Sequence, residues 1–262
     1  MDLIACNERG SRLFYRGLSA AARAEYALSG RHKWGHILQK NARLRDLRRH
    51  DTCFVVGNGP SLNQTDLSLL EGRDVITVNA MVNTPLFAQL RPRVHLVQDR
   101  AVLAELAPLL ARLARRPGSP AFLLHRSGLH AVGLAPNAFY LYGTLSPCSA
   151  GSIRADLTRP ATGFINVLPQ AALCAMYMGY RTVALVGNDF SFFARQKQTH
   201  FYEEAGRART VPLYRDLQGC AIACQQYRWL YAWAGQQGVR LVNATPASLL
   251  DELPRLPLES LV

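Results

Sequence analysis

An α/β chain with a mostly parallel, Rossmann-like sheet is what this sequence predicts, and three observations predict it. From residue 51 onward, short apolar or β-branched runs alternate with longer helical stretches. The first run, Cys53-Phe54-Val55-Val56, enters Gly57-Asn58-Gly59-Pro60-Ser61. A buried strand that stops in a glycine-rich turn before a helix start is the nucleotide-facing corner of many α/β folds. Several predicted strands also end in polar residues: Asn58, Asn79, Gln98 with Asp99, and Asn188 with Asp189. Ligands of open parallel sheets sit at those carboxyl ends.

The elements follow in order. Residues 1–50 read as a basic helical segment before a single domain over 51–262, packing on that domain through its apolar side with its arginines in solvent. Residues 20–28 are strong helix formers, and Ser29-Gly30 is expected to end that helix. Trp34, Ile37, Leu38, Leu44 and Leu47 then form a partial apolar stripe. After the opening strand and turn, Pro60 suits a first helical position, and Ser61 or Asn63 suits a cap. Leu67, Leu69 and Leu70 continue a short helix, and residues 74–79 are the second strand. Residues 94–99 form the third strand, 101–116 a Leu/Ala-rich helix, and 121–124 the fourth strand.

Residues 128–156 are rich in Gly, Pro and Ser, with one strand expected over 139–142. Ala161-Thr162-Gly163 precedes a long helix, about 164–178, which Gly179-Tyr180 ends. Residues 182–187 are another buried strand. The polar stretch 194–215 reads as a long loop acting as a lid. A helix over 217–237 and a strand over 239–242 close the pattern.

Composition narrows the function classes. About half of the 262 residues are hydrophobic, enough to fill a large core. The formal net charge is +12, and residues 1–50 alone hold eleven Lys and Arg against four Asp and Glu. Such a segment suits anionic lipid, nucleic acid or acidic glycan, or stands simply as a solvated basic helix. No basic stretch interleaves aromatics as a single-strand nucleic-acid platform does, and no nucleic-acid partner is expected.

The six cysteines are scattered, so a disulfide framework is not expected and a reducing, cytoplasmic setting is. Cys220 and Cys224, like His32 and His36, stand one helical turn apart without further ligands at metal spacing, so no metal site is expected. No apolar run reaches the length of about 18 residues that a membrane helix needs, and no secretory signal is expected.

Taken together, VVGNGPSL, ITVNAM, ATG before a helix ending in MGY, and VALVGNDF resemble the bacterial sialyltransferases of glycosyltransferase family 42. A closer resemblance is to the family labelled 6-hydroxymethylpterin diphosphokinase MptE-like, found among bacterial polysaccharide gene sets. Its CFIIGNGPSL turn after a basic helix, its HF-containing loop and its IYNAT-type closing strand correspond to residues 53–62, 199–202 and 241–245. The resemblance spans roughly residues 45–262.

It implies a sialyltransferase-like variant of the nucleotide-sugar glycosyltransferase fold, with Gly57, Asn58, Gly59, Pro60 and Ser61 around the donor nucleotide. By the same resemblance Asn79, Gln98 or Asp99, and Thr162 with Gly163 belong to that site, and Asn188 joins them as a polar residue at a strand end. Tyr202 and Tyr214, with Arg207 and Arg209, are expected to steady the leaving phosphate from the lid. The sialyltransferases place their basic histidine further along than any histidine here; His200 is the candidate replacement and Asp189 the runner-up.

The implied activity is inverting, metal-independent transfer of sialic acid or a related sugar from a CMP-type donor, with no cofactor beyond that co-substrate. The acceptor would be a glycan or lipid-linked glycan, with peripheral contact of the basic segment at the anionic inner membrane face. The alternatives are an ATP- and Mg²⁺-dependent pterin diphosphokinase, which would draw on Asp99 and Asp189, and a non-catalytic nucleotide- or glycan-binding accessory protein.

Overall fold

The computed structural model describes residues 3–144, 149–194, 200–202 and 212–262. Seven strands form one fully parallel sheet: β1 (Thr52–Val56), β2 (Asp74–Val78), β3 (Val94–Val97), β4 (Ala121–His125), β5 (Ala138–Leu141), β8 (Thr182–Val186) and β9 (Arg240–Asn243). Their spatial order is β5-β4-β3-β2-β1-β8-β9. Two short strands, β6 (Gly143–Thr144) and β7 (Ala161–Thr162), pair separately beyond β5. The α/β, mostly parallel expectation therefore holds.

The interior strands are buried on both faces, as parallel strands covered by helices must be. This is why Asp74-Val75-Ile76-Thr77-Val78 and Val94-His95-Leu96-Val97 carry little alternation.

The chain steps outward from β1 to β5, then returns through β7 and helix α6 (Val167–Met178) to lay β8 on the other side of β1. The strand order thus reverses between β1 and β8, and the crevice at such a reversal is where parallel sheets hold ligands. Helix α6 is the central prop. Every residue from Leu168 to Met178 is buried, and Gly179 ends the helix with φ +93. The helix starts later than its sequence suggests because Asn166 caps it, accepting from the Leu168 N–H at 3.0 Å.

The remaining helices are α1 (Leu3–Glu25), α2 (Arg31–Gln39), α3 (Pro85–Leu90), α4 (Arg100–Leu113), α5 (Leu129–Val132) and α7 (Leu213–Gln236). Ser29-Gly30 does not end the first helix. Residues Tyr26–Gly30 form a π-helical turn that runs directly into α2. Gly30 serves close approach instead: a Cβ there would stand 2.9 Å from the Tyr26 ring, which packs edge-on to Tyr142 with centroids 5.1 Å apart.

The basic N-terminal segment is bound into the fold. Lys40 Nζ donates to the carbonyls of Ala135 and Ala138, at 2.5 and 2.9 Å. Asn41 Nδ2 donates to the carbonyls of Tyr140 and Leu157, both at 2.8 Å. Those contacts cover edge strand β5, and Trp34 and Leu38 add apolar contact beside it.

Candidate active site

At the sheet's reversal the two turns lock together. The Gly57 N–H donates to the Val186 carbonyl at 2.7 Å and the Gly59 N–H to the Gly187 carbonyl at 3.0 Å. Asp189 then accepts from the Ser61 N–H at 3.0 Å and from the Ser61 hydroxyl at 2.7 Å. Two glycines are dictated by this contact. A Cβ on Gly59 would lie 1.8 Å from Asp189 Oδ2, and Gly187 has φ +68 with Leu62 packed against its α-carbon. Pro60 opens the short helical turn Pro60–Gln64. The N–H groups of Gly57, Gly59 and Ser61 are therefore engaged inside the fold. The turn's glycines position its backbone against β8, and Asp189 acts here as a tie between the two turns.

Asn58 Nδ2 donates to the Val78 carbonyl at 3.3 Å, joining the β1 and β2 ends. The segment 200–202 sits on this same turn: the Phe201 N–H donates to the Asn58 carbonyl at 2.9 Å, and Asn63 Nδ2 donates to the Phe201 carbonyl at 3.3 Å. His200 and Tyr202 stack, with ring centroids 5.1 Å apart and planes within 7°. Fold contacts thus bring His200 and Tyr202 to the glycine-rich turn across 138 residues of sequence. Arg207, Arg209 and most of the expected lid lie outside the described residues.

A cleft of about 430 Å³ opens at the carboxyl ends of β2 and β3. Asn79, Gln98 and Asp99 line one side, Ile165-Asn166-Val167 at the start of α6 another, and Phe192, Arg215, Asp216 and Gly219 the third. Asn79 is held with φ +50. Its carbonyl accepts from His95 Nε2 at 2.9 Å, and its Oδ1 from the Gln98 N–H at 3.4 Å.

His95 is the buried prop beneath it. A carbonyl can only accept, so Nε2 carries the proton and Nδ1 accepts from the Thr77 hydroxyl at 2.8 Å. Burial pushes its pKa down to about 3, so the ring is neutral and this tautomer is fixed. Phe87 and Phe122 pack edge-on against it.

Gln98 Nε2 donates to the Phe164 carbonyl at 2.5 Å. Its Oε1, like Asn58 Oδ1, is a buried acceptor without a hydrogen-bond partner among the described residues. Leaving such an acceptor unmatched costs about 1–3 kcal/mol, so each is suited to a donor brought by a ligand. Behind Gln98 a chamber of about 20 Å³ is lined by His125, Gly143, Gly163 and Gln170. His125 Nδ1 accepts from Ser127, so its Nε2 bears the proton; burial, then Arg100 and Arg126, lower its pKa.

The other residues expected at the donor site also make contacts within the fold. Asp99 is exposed and caps α4, accepting from the Ala101 and Val102 N–H groups at 2.8 and 3.2 Å. Thr162 is buried and its hydroxyl accepts from the Arg154 N–H at 2.8 Å. Asn188 is buried between β8, α7 and the C-terminal segment. Its N–H donates to Thr245 Oγ1 at 2.9 Å and its Oδ1 accepts from the Tyr227 hydroxyl at 3.4 Å. Tyr214 is exposed, with its hydroxyl accepting from Arg215 Nε at 3.2 Å, and does not line the cleft.

Sequence reasoning missed four participants. His95 and His125 could have been found as histidines lying in or ending apolar strands. Arg215 and Asp216 were hidden because α7 begins at Leu213, four residues before its apolar pattern starts. Among the described residues, no group of three or more His, Cys, Asp or Glu stands at metal-binding distance, and no helix is long and apolar enough to cross a membrane.

No protein-family model matches the chain, and no curated protein matches it. Two solved structures are similar in architecture. One is the sialyltransferase CstII from Campylobacter jejuni, solved with the substrate analogue CMP-3FNeuAc. It is 14% identical, with 78% of this chain and 85% of that chain covered and a TM-score of 0.49. The other is the MAf glycosyltransferase from Magnetospirillum magneticum AMB-1. It is 14% identical, with 88% of this chain covered and a TM-score of 0.47. The chain spans 39% of that second protein's length.

Proposed function

We propose that the chain is a glycosyltransferase that takes a CMP-type nucleotide sugar and transfers sialic acid or a related sugar to a glycan or lipid-linked glycan of a bacterial surface polysaccharide. One observation carries this reading. Asn79, Gln98 and the start of α6 converge on a single cleft at the sheet's carboxyl ends, beside a turn whose GNGPSL sequence resembles that of the bacterial sialyltransferases. The unmatched acceptors Asn58 Oδ1 and Gln98 Oε1 suit the hydroxyls or exocyclic amine of a nucleoside. Arg215, facing the positive dipole end of α6 across the cleft, suits a phosphate.

In the reaction the acceptor oxygen attacks the anomeric carbon as the bond from that carbon to the phosphate oxygen breaks. One displacement inverts the configuration. CMP leaves with the bonding electrons, and the α6 N-terminus and Arg215 offset its charge, so no metal enters the scheme. His200, beside the glycine-rich turn, takes the acceptor hydroxyl proton. Tyr202 stacks on His200 and orients it. The basic segment meets the anionic inner face of the membrane peripherally, where lipid-linked acceptors reside.

The test is to incubate the protein with CMP-Neu5Ac, other nucleotide sugars and ATP, with and without EDTA. Release of CMP that persists in EDTA is expected. EDTA-sensitive AMP formation with a hydroxymethylpterin would instead identify a diphosphokinase, and absence of any turnover a binding protein.

A further inference from the structure

The end of the sheet opposite the cleft carries a feature that the transferase reading leaves unused. Because all seven strands are parallel, their amino ends share one edge. Arginines stand at or just before the start of four adjacent strands there: Arg49 before β1, Arg73 before β2, Arg181 before β8, and Arg240 opening β9. The register sets Arg240 level with Thr182 and Thr52, and Asp74 level with Cys53, so the row crosses the sheet roughly perpendicular to its strands. Three interstrand spacings make it roughly 15 Å long. All four side chains are exposed, and among the described residues none of them carries an ion pair.

The acids at this edge do not cancel the row. Asp74 is fully buried. It accepts from the Arg49 and His50 N–H groups at 2.6 and 2.9 Å, from Arg93 Nε at 2.8 Å and from the Tyr180 hydroxyl at 3.0 Å. Its charge is matched inside, and those bonds fix the backbone from which Arg49 projects. Asp51 is paired with Arg48. Asp46 and Glu71 are the other acids of the adjoining segments. Between the connections into β1 and β2 lies a cleft of about 460 Å³, lined by Arg48, Arg49, His50, Asp51, Thr52, Phe54 and Arg73, in which the single carboxylate, Asp51, is the one paired with Arg48. That volume is ample for a small multivalent anion. Arginine forks match phosphate oxygens in geometry as well as charge.

We propose that this cleft and the arginine row beside it form an anion site for phosphate groups, at the end of the sheet opposite the donor cleft. The site does not depend on the glycosyltransferase reading. A free phosphorylated compound and the phosphates of an anionic lipid surface share the chemistry, and the two probes below separate them.

The full chain is titrated calorimetrically with inorganic pyrophosphate, and in parallel sedimented with phosphatidylcholine vesicles with and without phosphatidylglycerol. The proposal expects binding to at least one probe, weakening as salt rises. The double variant R49Q/R73Q is expected to bind that probe roughly tenfold more weakly, with thermal unfolding and CMP binding unchanged. R181Q/R240Q, which leaves the cleft itself intact, is expected to weaken vesicle binding more than pyrophosphate binding. Pyrophosphate binding alone assigns a free phosphorylated ligand; phosphatidylglycerol-dependent sedimentation alone assigns a lipid surface. Binding to neither probe, or equal binding by wild type and R49Q/R73Q, overturns the site.

Discussion

Asp189 holds Ser61 through two hydrogen bonds, to its N–H at 3.0 Å and to its hydroxyl at 2.7 Å, across 128 residues of chain. That contact joins the turn after β1 to the turn after β8, at the place where the sheet reverses its order. The carboxylate organises the donor corner by fixing one turn upon the other.

The Ser61–Asp189 pair should behave as one unit. Ser61→Ala and Asp189→Asn each lose about 1–2 kcal/mol of unfolding free energy, and the double variant loses less than the sum. Chemical denaturation of all four proteins gives a coupling energy of roughly 0.5–3 kcal/mol. Strict additivity would mean that the contact does not hold the turns.

Gly59 admits no side chain. The Cβ of Gly59→Ala would overlap Asp189 Oδ2 and approach the Gly187 carbonyl to 2.6 Å. Overpacking of this kind costs about 1–3 kcal/mol. A fall in denaturation midpoint is expected, together with loss of nucleotide binding. An unchanged midpoint would show that the two turns are free to separate.

Asn79→Gly preserves the left-handed backbone that His95 supports and removes the side chain lining the cleft, together with its long 3.4 Å contact from the Gln98 N–H. Its stability should stay close to that of wild type, while affinity for CMP falls roughly tenfold, the worth of one or two polar contacts. Asn58→Ala should lower CMP affinity as well. CMP titration separates the outcomes, and unaltered affinity in both variants places the nucleotide elsewhere.

His200→Ala should lower kcat by about 10²–10⁴-fold, the usual contribution of a general base, with CMP affinity retained. A full-rate variant would remove His200 from the proton transfer.

Acid should destabilise the fold through His95. Its folded pKa, about 3, lies below the unfolded value of about 6.5. Between those limits the unfolded chain binds a proton that the folded chain refuses. Stability from this group is therefore complete above about pH 6.5 and is lost as pH falls toward 3, at about 1.4 kcal/mol per pH unit. His95→Gln keeps a donor for the Asn79 carbonyl and lacks the titration, so its stability should fall less steeply over that range. Identical pH slopes would mean that His95 is charged in the fold.

By itself the sequence determined the alternation of elements, the parallel sheet and the polar strand ends, because buried strands and helix breakers write themselves in local composition. Asn79 and Gln98 were legible for that reason: each ends an apolar run, and each lines the cleft. Tertiary structure alone decided which contacts each polar strand-end residue makes within the fold. Asp99 caps its own helix, Thr162 serves the Arg154 backbone, and Asn188 turns inward to Tyr227. A polar side chain at a strand end has several backbone groups within reach, and the one it meets depends on distant segments. His95, Arg215 and the matched charge of Asp74 were hidden likewise, since their roles arise from neighbours brought together only when the sheet closes its order around β1.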